Sequence, residues 1–352
     1  MEERIAKRTD TGYDKQKESV QKSAPIQSED KKRLWAAKEE KDMEYVFGID
    51  VGGTSVKLGL FTTAGDLLDK WEIPTNTAEG GKAILPDIAQ ALRHKMEERG
   101  IQSAQVKGAG IGVPGPVTAD GIVDHCVNLG WGVVDITKEM ERLTGLPSRA
   151  GNDANIAALG EVWQGCGKGY QDVLMVTIGT GIGGGLVLGE KIVTGATGSA
   201  AEIGHICVNP METESCNCGN QGCLEQYTSA TGILRMAKKR LAQEDTPSML
   251  REKEHLTTKD VLDAAKAGDP LAAEVVDRMA RIMGMALAGC CAVTDVALII
   301  IGGGVSKAGA FLTDAIQSYY RKYAFHTQKE TAFKLAELGN DAGIYGAARL
   351  MI

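Results

Sequence analysis

The chain has 352 residues, of which 43% are hydrophobic and 24% charged, with a formal net charge of −7. That length suggests about two domains, each able to bury a core, and the acidic balance argues against a broad nucleic-acid surface and for small-molecule work. The charged N-terminus has no apolar signal-peptide core, and the longest apolar stretch, around Val296 to Ile301, is far too short to span a bilayer. No membrane partner and a cytoplasmic location are therefore expected.

Residues 1–43 hold 11 Lys/Arg and 10 Asp/Glu with few large apolar residues. Such a segment buries too little surface to offset its ordering entropy, so disorder or a loose solvated helix is expected. From Tyr45 the pattern becomes α/β. Tyr45–Asp50 reads as a buried strand, 51–54 as a tight turn, Ser55–Phe61 as the returning strand, and Leu67–Ile73 as a third strand after the turn at 64–66. Helical periodicity follows over roughly 80–98. Val106–Val113 is a strand ending in Gly112-Val113-Pro114-Gly115.

The pattern then recurs about 127 residues later. Asp172–Ile178 and Ile182–Leu188 read as strands around Gly179-Thr180-Gly181, with a second turn at 189–191. Two copies of strand, glycine turn, strand, turn suggest an internally duplicated fold. A helical stretch follows from about 229 to 293. Ala297–Ile301 is a strand that stops at Gly302-Gly303-Gly304, Val305 onward is helical, and Gly343–Leu350 is a small-residue helix.

Glycine is the compositional outlier at 44 residues, and much of it clusters after apolar runs. In Asp50-Val51-Gly52-Gly53-Thr54, a strand delivers a carboxylate into a glycine turn. Bare backbone N–H groups and the Thr54 hydroxyl suit phosphate oxygens, the carboxylate suits Mg²⁺, and Lys57 can add charge. Gly179, Thr180 and Gly181 occupy the equivalent place in the second copy, so two such loops can clamp a triphosphate from both sides. Gly302, Gly303 and Gly304 follow a strand end, where α/β sheets bind ligands, and a flat base can lie against them. None of the three matches the P-loop or the dinucleotide fingerprint; alone, each can equally be a plain hairpin turn.

Asn152-Asp153 precedes an apolar helical run. The pair can be a helix N-cap; a carboxylate placed beside phosphates is also the natural general base for a hydroxyl nucleophile. The chain has eight cysteines, and three of them, Cys216, Cys218 and Cys223, crowd into eight residues. With His205 upstream they supply four ligands, a closed tetrahedral zinc site; a disulfide among them is the alternative, which a reducing cytoplasm disfavours. Glu202 and Glu225 sit just outside the ligand set as polar groups that sugar hydroxyls would need.

Asp50–Thr54, Gly179–Gly185 and above all the Glu202, His205, Cys216, Cys218, Cys223, Glu225 block resemble the ROK family of repressors, open reading frames and sugar kinases, from about Tyr45 to the C-terminus. The zinc block is highly specific, whereas the glycine loops are shared with the wider actin-like ATPase superfamily. The resemblance implies a two-domain actin-like α/β fold with RNase H-like halves: 44–162 with 338–352 as the small domain and 163–337 as the larger one. It implies ATP-dependent phosphorylation of a hexose, glucose to glucose 6-phosphate, with Asp153 as catalytic base. Sugar hydroxyls fall to Asn128, Asn152, Asp153, Glu202, His205 and Glu225. The resemblance makes the zinc structural and the chain a homodimer. The N-terminal extension departs from the family, being too short and too poor in apolar residues for the winged helix-turn-helix of its repressors. A kinase for N-acetylmannosamine, fructose or allose, a non-catalytic sugar sensor and an actin-like structural ATPase are the competing readings; only the last leaves the zinc block without a purpose.

Overall fold

Two five-stranded sheets with the same strand order organise the chain. The first is built from β1 (Tyr45–Val51), β2 (Ser55–Thr62), β3 (Leu67–Pro74), β4 (Val106–Val113) and β7 (Ser148–Asn152), in the order β3-β2-β1-β4-β7. The second is built from β8 (Val173–Ile178), β9 (Ile182–Leu188), β10 (Lys191–Ile192), β11 (Leu298–Gly302) and β12 (Ala332–Leu335), in the order β10-β9-β8-β11-β12. In each, the first strand pairs antiparallel with the hairpin strand that follows it and parallel with a later one. The duplication expected from the glycine turns is thus present in the topology. This computed structural model describes residues 43–352, so the charge-rich segment expected to be disordered lies outside the described residues but for its last one. Residues Glu44–Ile352 form one compact unit.

Burial explains which strands were easy to anticipate. Leu298, Ile299, Ile300 and Ile301 are wholly buried, as befits a central strand with parallel neighbours on both sides. β7, Ser148-Arg149-Ala150-Gly151-Asn152, has almost no strand propensity and is held by its parallel pairing to β4. β12 and the hairpin of β5 (Ile122–Cys126) and β6 (Trp131–Asp135) are short and were likewise not anticipated. The first long helix, α1 (Ile84–Arg99), starts later than the periodicity suggests, because Glu79, Gly80 and Gly81 take left-handed φ of 51°, 72° and 68°.

After α2 (Ile136–Thr144), helix α3 (Asp153–Gln164) leaves β7 directly. After the one-turn α4 (Glu225–Thr228), the long helical stretch divides into α5 (Ala230–Gln243), α6 (Thr258–Lys266) and α7 (Pro270–Thr294). The last of these breaks starts cleanly because Asp269 caps the Ala272 N–H at 2.9 Å and Pro270 occupies the first turn. Helices α8 (Ala310–Tyr323) and α9 (Ala342–Arg349) complete the described chain. No described helix is long and apolar enough to cross a membrane.

α9 packs on β1, β4 and α3 at once. Its small-residue composition is what permits this: a side chain at Gly346 would overlap the carbonyl of Ile156 in α3. This packing brings the loop before α9 to the ends of β1 and α3, where the sequence placed its candidate site.

Candidate active site

A cleft of about 710 Å³ opens between the two sheets. Asp50, Lys57, Asn128, Asp153, Gly179, Thr180, Gly181, Glu225 and Gly303 line it, and all nine were singled out from the sequence. Gly183 of the same glycine run lines it too, as do residues that were not singled out: Thr177 from the second sheet, and Gly339, Asn340 and Gly343 before and within α9. The turn-rich Gly339-Asn340-Asp341 preceding a small-residue helix was the available signal. A larger cavity of about 800 Å³, around Asp120, Arg149, Glu190, Lys191 and Arg349, contains none of the singled-out residues.

Asp50 is the penultimate residue of β1 and pairs in register with Lys57 of β2. Burial pushes its carboxyl up to about 6, against the pull of Lys57 and with a smaller push from Asp153. Gly343 closes over it: a Cβ there would lie 2.6 Å from the Asp50 carboxyl carbon. The Lys57 ammonium donates to the Asn340 carbonyl at 3.1 Å, tying β2 to the loop before α9. Gly53 and Thr54 are exposed at the turn, and Thr75 holds that turn through its hydroxyl, which donates to the Gly52 carbonyl at 2.6 Å.

The second turn is built the same way but without charge. Gly179 N–H donates to the Gly181 carbonyl at 3.0 Å, and Ala230 N–H donates to the Gly179 carbonyl at 2.8 Å, so the loop is anchored to the start of α5. A Cβ on Gly181 would meet the Glu225 carboxylate at 2.6 Å. Gly184 and Gly185 lie within β9 and make room for packing rather than for a ligand. Behind this turn, Gly179 and Thr180 are shared with a second cavity of about 470 Å³ lined by Ala230, Leu262, Val305, Ala308, Gly304 and others. Of the three consecutive glycines, Gly303 thus faces the cleft and Gly304 the second cavity, while Gly302 ends β11 in register with Thr177 and lines neither.

Asn152 and Asp153 divide between helix cap and cleft wall. Asn152 caps α3, its carboxamide oxygen accepting from Ala154 and Asn155 N–H at 3.0 and 3.1 Å, and its amide donates to the Gly115 carbonyl at 3.1 Å. That leaves Asp153, the first residue of α3, facing the cleft. Desolvation by the surrounding protein raises its carboxyl; the Ala154 N–H and Asn152 amide oppose this and the nearby Glu202 adds to it.

Glu225 opens α4. One carboxylate oxygen accepts from Ile182 N–H at 3.3 Å and the other from the Cys216 thiol at 3.1 Å. It therefore touches both the second turn and the cysteine cluster. His205, Cys216, Cys218 and Cys223 place one ligand atom each within 4.8 Å of one another. Cys218 and Cys223 sulfurs are 3.6 Å apart, and Cys216 Sγ is 3.9 Å from His205 Nδ1. A tetrahedron with bonds of about 2.3 Å spaces its sulfur ligands about 3.8 Å apart, so the four groups fit a zinc ion. All eight cysteines are free thiols; burial pushes the Cys216 thiol up to about 12, a cost that a bound cation would reverse.

The model of the ROK family matches residues 46–352. A glucokinase of Halalkalibacterium halodurans is 44% identical over 88% of this chain and 95% of its own length. An N-acetylmannosamine kinase of Escherichia fergusonii is 33% identical over 86% of this chain and 96% of its own. The crystal structure of a ROK family glucokinase from Streptomyces griseus in complex with glucose and AMPPNP is 34% identical and superposes with a TM-score of 0.68, covering 87% of this chain and 98% of that one.

Proposed function

The chain belongs to the ROK family, has the two-sheet actin-like ATPase fold of its kinases and is similar over nearly its whole described length to hexose kinases; on that footing we propose that it transfers the γ-phosphoryl group of ATP to glucose, giving glucose 6-phosphate. The observation that carries this reading is the position of Asp153: a solvent-accessible carboxylate at a helix start that lines one cleft with Asp50, Lys57 and the turn at 179–181.

In this reading the sugar lies against Asn128, Glu202, His205 and Glu225, with Asn152 fixing Asp153 as well as approaching the sugar. Asp153 accepts the proton of the 6-hydroxyl as its oxygen attacks the γ-phosphorus. A carboxylate raised by burial is a stronger base than a solvated one, so transfer is better matched near neutral pH. The N–H groups around Gly52–Thr54 and Gly179–Gly181 take the phosphates, with Lys57 adding positive charge. The adenosine fits the second cavity, where Leu262, Val305 and Ala308 supply apolar surface and Gly304 permits close approach. Asp50 would hold Mg²⁺, which neutralises phosphate charge when bound. His205, Cys216, Cys218 and Cys223 would hold zinc; four protein ligands leave no open position, so its contribution is to anchor Glu202 and Glu225. Closure of 44–162 with 338–352 onto 163–337 would exclude water from the transfer. ATP and a reducing environment for eight free thiols both fit the cytoplasm.

A coupled assay of the purified protein across glucose, mannose, fructose, allose and N-acetylated hexosamines tests the substrate. Glucose should give the highest kcat/KM. Faster turnover of N-acetylmannosamine, the substrate named for the 33%-identical relative, would overturn the glucose assignment but not the kinase class. No turnover of any sugar, with sugar binding retained, would make the chain a sensor.

A further inference from the structure

One cysteine beside the cluster is left without a role. Cys207 is exposed and is not among the four clustered ligands. The segment around it runs antiparallel to the segment that holds Cys223. Leu224 N–H donates to the Ile206 carbonyl and Val208 N–H to the Gly222 carbonyl, both at 2.8 Å. These two bonds bracket Cys207 and Cys223 without either residue donating to the other, and the Cys223 N–H goes instead to Gln226 at 3.0 Å. Cys207 and Cys223 are therefore a non-hydrogen-bonded cross-strand pair. Such pairs have Cα atoms about 4.5 Å apart and side chains on one face, inside the roughly 4.4–6.8 Å window of a disulfide. The Cys207 sulfur also leans over its partner segment, since a Cβ on Gly222 would lie 3.3 Å from it.

We propose that Cys207 is a peroxide-responsive thiol that forms a disulfide with Cys223 and so removes one of the four metal ligands. The proposal rests on the reading of the cluster as a zinc site. In the first step the Cys207 thiolate attacks hydrogen peroxide, forming an S–O bond, breaking the O–O bond and releasing hydroxide. In the second, the Cys223 sulfur attacks the Cys207 sulfenic sulfur, forming the S–S bond and releasing a second hydroxide. Two thiolates are oxidised by two electrons, and one peroxide is reduced to two hydroxides. Cys223 can then no longer act as a thiolate ligand. Glu225 lies two residues beyond it and lines the cleft, so loss of the cluster reaches the cleft directly. A dithiol reductant with added zinc reverses the change.

The test starts from the purified, zinc-supplemented enzyme with its metal content measured by elemental analysis. A protein that holds no zinc defeats the underlying metal reading, whatever the cysteines then do. On zinc-bearing enzyme, a stoichiometric pulse of hydrogen peroxide should consume two of the eight thiols, yield a Cys207–Cys223 peptide on mapping and release zinc to a chromogenic chelator in step with it. Cys207→Ser and Cys207→Ala should bind zinc and turn over glucose as wild type does, yet release zinc about tenfold more slowly under the same pulse. Release at the wild-type rate from both variants overturns the proposal. So does a cross-link of Cys207 to Cys290, or of Cys218 to Cys223, in place of the expected one.

Discussion

The hairpin β1–β2 and the hairpin β8–β9 share one plan, a short glycine turn between antiparallel strands: four residues, 52–55, closed by Val51 and Val56 in one, and three, 179–181, closed by Ile178 and Ile182 in the other. One register step back from that closure the two differ. The first hairpin places Asp50 opposite Lys57; the second places Thr177 opposite Gly183. A Cβ on Gly183 would stand 2.6 Å from the Thr177 hydroxyl, so the second hairpin has no room for a counterpart of Lys57. Duplication supplied two glycine turns at equivalent places in the two sheets, and they differ in length and in side chains. One loop is flanked by a charged pair, Asp50 and Lys57, and the other by Thr177 and Gly183, which leave its backbone bare. Asp153 lies between them.

The largest effect is expected at that midpoint. Asp153→Asn keeps the size of the side chain and its bond to the Ala154 N–H region but cannot take a proton. Its kcat should fall by roughly 10²–10⁴-fold while the glucose Kd moves only a few-fold. A fall of less than about tenfold would reduce Asp153 to the start of a capped helix and leave the two loops without a base.

Next come the two hairpins themselves. Asp50→Asn removes the charge of the first and should lower kcat by about 10²-fold, with a raised requirement for Mg²⁺. Thr177→Val, at the equivalent place in the second, should change kcat by no more than about threefold. Equal losses would show that the second loop is not the neutral partner. A smaller steric test follows: Gly181→Ala drives a methyl towards Glu225 and should raise the glucose KM by about tenfold with little change in kcat, because it displaces a sugar contact and not the base.

Much of this asymmetry was readable beforehand. Both glycine turns, Asp50, Lys57, Asp153 and the four clustered ligands stand in short contiguous motifs, and contiguous motifs survive translation into structure because a strand end or a turn fixes their geometry locally. What escaped notice depends on distant packing. Asn340 reaches the cleft only because Lys57 bonds its carbonyl and because α9 packs onto β1 and α3. The second cavity draws Leu262 from α6 and Val305 from beyond β11, more than forty residues apart in sequence. β7 has no strand signal of its own, although it is the strand that delivers Asn152 and Asp153. Gly302 shows the opposite error: it belongs to a glycine run, but its place in β11 points it at the sheet interior, against Met175.

The smallest effect concerns pH, and it separates the charged hairpin from everything else. Burial raises Asp50 to about 6 and also raises Asp153, and both must be ionised for the proposed chemistry. In the wild type kcat/KM for glucose should therefore lose about half its value near pH 6 and fall progressively more steeply below it, as one and then two protons bind. The second hairpin contributes no titrating group. Asp50→Asn should then leave a shallower limb from Asp153 alone; an unchanged limb in that variant would assign the titration elsewhere. The same shift has a stability counterpart of determinate sign. The folded state holds the Asp50 proton more tightly than the unfolded chain, whose aspartates titrate near 3.8. Native stability consequently declines as pH rises through the window from about 4 to about 6, and the cost persists above it. Asp50→Asn should be more stable than wild type at pH 7.5, by about 1–3 kcal/mol, and nearly equal to it at pH 4. Thermal melts at the two pH values read that difference directly. A variant that is slower at catalysis yet harder to unfold at neutral pH is what a buried charge kept for phosphate chemistry requires; a variant destabilised at both pH values would mean that Asp50 holds the hairpin together through Lys57 instead.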